Sequence, residues 1–565
     1  DGLMKVLAGF SALALLSMLA QSHAQEAPDT IFLNGKIVTV DDYFSIAEAV
    51  AIRGDAIQAV GSNEQISSLK GDSTRVLDLQ GRTVIPGLID NHNHVVRATE
   101  YWPNDTRLDG VTSRSTALAM LKAKAETLPP AEWLMSLGGW TENQFNDSRR
   151  DFTLAELDAI ATDRPVFVQS VYDHAFGNTA WFHAMGIPLT ASEAEQEQAE
   201  GLASWVLRDK QGRITGRLNG GFAMIAQAIA GFPAVPAEKQ AAAIRTAMTF
   251  LNSIGLTSIY DPGGVGIKQE SYARIRQMSE SEGISVRVFH TLNTDVPRTP
   301  ERAREFIERI KATRPFQGNA FVDLIGMGEI YYGPFHWDRI VTPVTPSDED
   351  LAIGKEILVA AAAGGWPVQT HAMRHETIDI LLDVFEEVNE QHPMRHLRWT
   401  IAHADSVSPE QFERIRYLGM NLQLRSTPVL GDRGPIVAKY GDVGYQWPRL
   451  RQVQDNGIPF GLGSDGTKAN QINPFVTLWW AVTGKALNGD VVTQQTLSRE
   501  EALIAHTRSN AYLVFQEMRL GAIKPGFLAD MLVLDRDYLS VPVDEIMDIR
   551  PVATIVNGEI VFGGL

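Results

Sequence analysis

Asp90-Asn91-His92-Asn93-His94 follows directly on the apolar run Val84-Ile85-Pro86-Gly87-Leu88-Ile89. In an extended chain alternate side chains share a face, so His92 and His94 point the same way. Two imidazoles placed like this can share one metal ion. Three more potential ligands have the same setting. His371 ends Trp366-Pro367-Val368-Gln369-Thr370, His403 ends Trp399-Thr400-Ile401-Ala402, and Asp465 ends Phe460-Gly461-Leu462-Gly463-Ser464. Any one of the histidines could be a hydrogen-bonded core residue. Four His and one Asp, each closing an apolar strand, are hard to explain by packing. Nitrogen and oxygen ligands suit zinc, with manganese, iron or cobalt as alternatives. Such an ion lowers the pKa of bound water toward about 7 and polarises a carbonyl, which is the chemistry of hydrolysis.

Strand ends converge on one mouth only in particular folds, so the elements matter. The middle of the chain alternates short apolar strands with amphipathic helices, the signature of a parallel α/β fold. Eight strand candidates fit a (β/α)8 TIM barrel, whose carboxyl-end loops build active sites: Val84–Ile89, Leu256–Asp261, Ser285–His290, Val322–Ile330, Pro367–His371, Arg398–His403, Met420–Arg425 and Pro459–Ser464. Helices are predicted over Pro236–Ser253, Pro300–Thr313, Asp348–Ala363 and His375–Glu390, the second with Thr299 as N-cap and Pro300 at its first position. The gap after the first strand is too long for one crossover, so residues 97–240 hold a large insertion with its own strands near Trp133–Gly138 and Val166–Val171. The acidic Glu193–Glu200 segment reads as a solvated helix face.

Both ends look β-rich. Thr30–Val40 reads as a hairpin around Asn34-Gly35, Ala47–Val60 as another around Arg53-Gly54-Asp55, and Thr74–Leu79 as a third strand region. Asp530–Asp535, Ala553–Val556 and Glu559–Phe562 are strands at the other end, with Asn557-Gly558 as a turn. The expected organisation is a β-sandwich from residues 25–83 and 515–565 beside a barrel over 84–514. Residues 1–24 read as a secretory signal: Lys5, an apolar run from Val6 to Ala20, and small residues at Ser22 and Ala24. That run is short for a membrane anchor. The expectation is an exported protein, periplasmic or secreted, with no stable membrane anchor.

Composition narrows the classes further. The 565 residues include 44% hydrophobic and 21% charged positions, enough apolar material for a large core. No cysteine is present, which excludes disulfides, thiolate metal sites and Cys nucleophiles. The net charge of −18 argues against a nucleic-acid partner and disfavours strongly anionic substrates. His371 and His375 are four apart, yet Ala372 stands where a zincin helix needs Glu. No Gly-x-Ser-x-Gly elbow supports a serine hydrolase.

With these residues in place, the chain resembles the amidohydrolase superfamily, specifically amidohydrolase family 3, the branch that includes N-substituted formamide deformylases. The resemblance runs over Val84–His94, Gly139-Trp140, Leu154–Val168, Gly255–Asp261, Trp366–His371, the His403 strand, Gly463-Ser464-Asp465 and Leu520–Asp535. It implies a metal-bearing barrel with a sandwich from both termini. It implies that His92 and His94 hold the more buried metal, that His371 and His403 hold a second, and that Asp465 touches metal and acts as general base and acid. Many relatives place a carboxylated Lys at the end of strand four. Here that stretch reads Leu324-Ile325-Gly326-Met327-Gly328-Glu329-Ile330, and Glu329 falls nearest the place. Its alternative reading is a substrate-binding or supporting acid. The resemblance also makes His174 and Asn178 pocket residues, and Trp140 and Tyr331 are candidate pocket walls, although aromatic residues are more often core.

The activity so implied is hydrolysis of a small-molecule linear or cyclic amide by metal-activated hydroxide, with one or two divalent ions, zinc first. The alternatives are esterase, lactonase, carbamate hydrolase or deaminase chemistry on the same site, or a non-catalytic exported ligand-binding protein. A homo-oligomer is compatible with the sequence.

Overall fold

The computed structural model describes residues 26–293, 296–431 and 433–565. The proposed export signal lies outside the described residues.

Eight parallel strands carry the strand-end residues: β1 (Leu88–Asp90), β2 (Leu256–Asp261), β3 (Arg287–Leu292), β4 (Val322–Met327), β5 (Gln369–Ala372), β6 (Thr400–His403), β7 (Asn421–Arg425) and β8 (Phe460–Gly463). They form two four-stranded sheets, β1 to β4 and β5 to β8, each in sequence order. A parallel bridge between Met327 and Val368 links β4 to the segment entering β5. Every residue of β2 and of β7 is buried, as expected for strands covered on both faces.

No ladder joins β1 to β8 among the described residues, and side chains span that seam instead. Asn510 Nδ2 donates to the carbonyls of Ile89 (2.5 Å) and Leu462 (2.8 Å). Asp90 accepts from Ser464 N (3.1 Å) and Ser464 Oγ (2.5 Å). Gly461 and Gly463 leave the room these side chains fill, since a Cβ on Gly461 would lie 1.8 Å from Asn510 Oδ1.

Four helices run over Ala237–Ser253, Pro300–Ala312, Asp348–Ala363 and His375–Gln391. Thr299 caps the second, its hydroxyl accepting from Arg302 N at 3.4 Å. None of the described helices is long and apolar enough to cross a membrane. Between β1 and β2 lies a separate five-stranded sheet in the order Val206–Arg208, Ile214–Asn219, His174–Gly177, Val166–Ser170, Leu134–Leu137, with its own buried clusters. The acidic helix there, Glu193–Glu197, buries nothing.

Two local expectations are corrected. The apolar run taken as the first barrel strand is two strands in two sheets. Thr83–Pro86 pairs with Lys36–Val38 and Met531–Leu534, whereas Leu88–Asp90 pairs with β2. The break falls at Gly87, where a Cβ would sit 2.1 Å from Thr257 Oγ1. Asn34-Gly35 is not a hairpin turn. Thr30–Leu33 pairs with Ala49–Arg53 and Arg75–Asp78, while Lys36–Val38 joins the other sheet. Asn34, at φ 60°, turns the chain from one sheet to the next, and its N–H is taken by Asn63 Oδ1 at 2.8 Å. The Arg53–Asp55 and Asn557-Gly558 turns do connect antiparallel pairs.

The six-stranded sheet orders Glu559–Gly563, Pro551–Val556, Met531–Leu534, Thr83–Pro86, Lys36–Val38 and Ile46–Ala47, so it draws on both ends of the chain. Phe32, Ile37, Val50, Val84, Met531 and Ile555 share one buried cluster with residues of the four-stranded N-terminal sheet. Arg287, at the start of β3 and fully buried, grips Asp530 with Nε (2.7 Å) and Nη2 (2.9 Å).

Candidate metal centre

The strand-end residues meet. His92 Nε2 is 3.5 Å from Glu329 Oε2 and 3.5 Å from Asp465 Oδ1. His94 Nε2 is 3.1 Å from Asp465 Oδ1 and 3.3 Å from Glu329 Oε1. His403 Nε2 is 3.0 Å from Glu329 Oε2 and 2.8 Å from His371 Nδ1, and His371 Nδ1 is 3.2 Å from Glu329 Oε2. Two sets of ligand atoms lie mutually within 4.8 Å: His92, His94 and Asp465, and His92, Glu329 and His403. Glu329 is central, near the ring nitrogens of all four histidines.

Local backbone aims these groups. His403 and Asp465 have φ of 76° and 59°, a region that side chains other than glycine rarely occupy, at about 1–3 kcal/mol each. His403 closes its strand and Asp465 lies two residues beyond its own, where its N–H is held by the His92 carbonyl at 2.8 Å.

The outward ring nitrogens are fixed by other residues. His92 Nδ1 meets Gln369 Oε1 at 2.8 Å, and Gln369 Nε2 donates to the Asn91 carbonyl at 3.2 Å. With its amide so oriented, Gln369 accepts from His92, and the Nε2 lone pair faces the centre. His94 Nδ1 donates to the Gly263 carbonyl at 2.9 Å, with the same consequence. His371 is turned the other way: Nε2 meets Asp338 Oδ1 at 3.1 Å, leaving Nδ1 inward. Asp338 is itself held by the N–H groups of Met373 (2.6 Å) and Arg374 (2.9 Å). His92 Nε2 is buried with no hydrogen-bond partner among the described residues. A buried ring nitrogen with no hydrogen-bond partner beside two carboxylates fits a cation between them.

Electrostatics agree. Burial alone would raise the Glu329 carboxyl, but the neighbouring His92 and His403 hold it well below the usual range. Asp465 is likewise low, because His403, His92, His94 and Arg425 outweigh its burial. Burial disfavours protonated His92, yet Glu329 and Asp465 raise its pKa to about 10, and Asp338 and Glu329 do the same for His371. His403 goes the other way, to about 4, through burial and the charge of Arg425. Arg425 grips Asp465 Oδ2 at 2.5 Å and Asp405 through Nε at 3.0 Å and Nη2 at 2.5 Å.

The pocket residues expected from the sequence lie apart from this cluster or are otherwise engaged. Trp140 is fully buried, stacked on Phe145 at 5.7 Å in the core beneath the five-stranded sheet. Asn178 spends its amide on structure. It caps the helix Thr179–Ala184 through Trp181 N (2.9 Å), accepts from Val166 N (2.9 Å) and donates to Ala161 and Arg164. Tyr331 is fully buried, with its hydroxyl 2.8 Å from Thr370 Oγ1. His174 binds Glu142 (2.7 Å) and Asp173 (2.8 Å), and no contact among the described residues ties it to the ligand cluster.

Gln369, Asp338, Arg425 and Asp405 escaped sequence reasoning. Two left a signal: Gln369 shares a strand face with His371, two residues on, and Arg425 ends its strand as the ligands end theirs. Asp338 lies in a loop, and only the fold brings it to His371.

Comparison with known proteins sets this centre in context. The sequence profile described as "Amidohydrolase family" matches residues 75–562. An N-substituted formamide deformylase from Arthrobacter pascens is 24% identical over 550 residues, covering 94% of this chain and 97% of that protein. In fold the chain is similar to metal-dependent hydrolases from Pyrococcus furiosus (TM-score 0.61, 21% identity, 90% of this chain and 100% of that one) and Pyrococcus horikoshii OT3 (TM-score 0.61, 22% identity, 91% and 99%).

Proposed function

Since the chain belongs to the amidohydrolase family, we propose that it is a metal-dependent hydrolase cleaving a carbon–nitrogen bond of a linear or cyclic amide. The observation that carries this reading is the convergence of four imidazoles and two carboxylates, with the outward ring nitrogens of His92, His94 and His371 held by Gln369, the Gly263 carbonyl and Asp338.

His92, His94 and Asp465 would hold one divalent ion, zinc first. His371 and His403 would hold a second if two bind, with Glu329 between them where many relatives use a modified lysine. Such an ion acidifies water and polarises a carbonyl. We assign the proton work to Asp465. Its Oδ1 faces His92 and His94, and its Oδ2 is tied to Arg425. In that geometry the carboxylate accepts a proton from the attacking water and returns it to the leaving nitrogen. Arg425 keeps it ionised and oriented, and Asp405 keeps Arg425 in place.

We read β1 to β8 as one closed (β/α)8 barrel, with residues 97–240 as an insertion and the two terminal sheets as a sandwich. The Met327–Val368 bridge and the Asn510 and Asp90 hydrogen bonds across the β1–β8 seam support that reading. Elemental analysis of the purified protein should find one or two equivalents of divalent metal, and a panel of small amides should include substrates. Asp465→Asn should stay folded and lose turnover by about 10²-fold or more. Near-normal activity in that variant would remove Asp465 from its role, and faster turnover of matched esters than of amides would move the reading to an esterase.

A further inference from the structure

A cavity of about 630 Å³ lies where the region between β1 and β2 meets the helix Ala237–Ser253. Three segments build it: the end of the 3₁₀ helix Val96–Asn104, the stretch from Leu128 to Trp133 that leads into the strand Leu134–Leu137, and Pro233–Pro236 with the first turns of Ala237–Ser253. None of its lining residues belongs to the metal-ligand cluster. Its volume falls in the range of about 300–1,000 Å³ usual for small-molecule sites.

The walls are flat and stiff. Tyr101 and Trp133 each pack edge-on against the buried ring of Phe232, at centroid distances of 5.5 and 5.7 Å, and Phe232 packs in turn on Phe167 at 5.3 Å. Pro103, Pro129, Pro130, Pro233 and Pro236 add further rigid surface, and all but the first are exposed, so the cavity opens to solvent.

The polar groups along these walls are already spent. Each charged side chain has its opposite: Glu132 Oε1 lies 3.7 Å from Lys239 Nζ, and Glu100 Oε2 lies 3.6 Å from Lys268 Nζ. Asn104 Nδ2 donates to Glu132 Oε2 (3.1 Å) and to the Trp133 carbonyl (3.0 Å). The Tyr101 hydroxyl donates to the Pro233 carbonyl at 3.2 Å, and the Thr246 hydroxyl to the Ala242 carbonyl at 3.0 Å. Burial and the nearby Glu100 push the Tyr101 hydroxyl up to about 12, so it carries no charge. Gln240 Nε2 takes the Val235 carbonyl at 3.2 Å, while Arg164 Nη1 reaches the carbonyls of Leu128 (3.4 Å) and Pro129 (3.2 Å) from behind the loop.

We propose that this cavity is a binding site, separate from the metal centre, for a neutral small molecule built on an aromatic or alicyclic ring. A charged ligand would give up its water with no free counter-charge to replace it. A ring lies well against the faces that Tyr101, Trp133 and the prolines present. No residue of the metal centre takes part, so the site stands whether or not the chain is a hydrolase.

Full-length protein titrated with N-phenyl-1-naphthylamine should show saturable fluorescence enhancement at one equivalent per chain. 8-Anilinonaphthalene-1-sulfonate, the same ring skeleton carrying an anion, should bind about tenfold or more weakly. Ala242 lines the cavity from an exposed helix position. Ala242→Trp fills the space with an indole and should weaken the neutral probe by about tenfold or more, with metal content unchanged. Thr246→Trp, one turn further along the same wall, makes the same test if Ala242→Trp fails to fold. No saturable binding, equal or tighter binding of the sulfonate, or unchanged affinity in the folded tryptophan variant would overturn the site. Sedimentation showing a wild-type dimer that Ala242→Trp dissociates would also overturn it, by giving the cavity to a second copy of the chain.

Discussion

At the scale of single residues the centre depends on groups that never touch the metal position. Asp338 fixes which nitrogen of His371 faces inward. Asp338→Ala frees that ring to turn, and supporting carboxylates of this kind are worth roughly 10–100-fold in metal affinity. Competition with a chromogenic chelator should show that loss, with Asp338→Asn falling between. The pH behaviour follows from His92 and His371, whose pKa values in the metal-free protein rise from 6.5 to about 10. Because the folded values lie above the unfolded ones, their stabilising contribution is complete below about pH 6.5 and disappears as pH rises through about 10. A metal must displace those protons, so affinity should climb across the same window. Calorimetry near pH 7 in buffers of different ionisation enthalpy should record net proton release on metal binding; no dependence on buffer would contradict this. The convergence of His92, His94, His371, His403 and Asp465 was legible because each closes an apolar run. What the sequence did not show is whether a side chain's polar groups are already occupied, as those of Asn178 and Tyr331 are.

Among elements, the strands were more legible than their partners. Each of the eight segments predicted as a parallel strand contains or overlaps one, because strands buried on both faces are continuous apolar runs. Partner choice is non-local, and there the reading failed twice, at Asn34-Gly35 and at Val84–Ile89. The second failure has a physical marker. At Gly87 the chain leaves the six-stranded sheet for β1, so close to Thr257 that no Cβ fits. Gly87→Ala would force one of the two strands aside, at about 1–3 kcal/mol for an overpacked site. Urea denaturation should show the lower midpoint, and Gly87→Ser should be no better. A wild-type midpoint in Gly87→Ala would mean that the two sheets give way to each other more easily than their packing suggests.

For the molecule as a whole, the two chain ends and the metal centre should behave as one cooperative unit. Thr83–Pro86 lies between Lys36–Val38 and Met531–Leu534, and after Gly87 the same chain becomes β1 and then the His92 and His94 loop. Arg287, buried at the foot of β3, reaches the C-terminal segment through Asp530 and also meets Asn557 Oδ1 at 3.0 Å. Asp530 accepts Asn557 N–H at 2.8 Å, and its carbonyl takes Gly87 N–H at 2.9 Å. One residue therefore joins the turn after Pro551–Val556, the strand break at Gly87 and the base of the parallel sheet. Asp530→Ala leaves a buried guanidinium without its anion, a loss of about 3–5 kcal/mol for a broken buried pair. If the ends and the centre are coupled, the variant should unfold in one transition at lower urea, with bound metal released in that same transition. Asp530→Asn, which keeps an acceptor for Arg287, should fall between variant and wild type. Two separated transitions, with metal retained through the first, would show instead that the terminal sheets unfold without disturbing the centre.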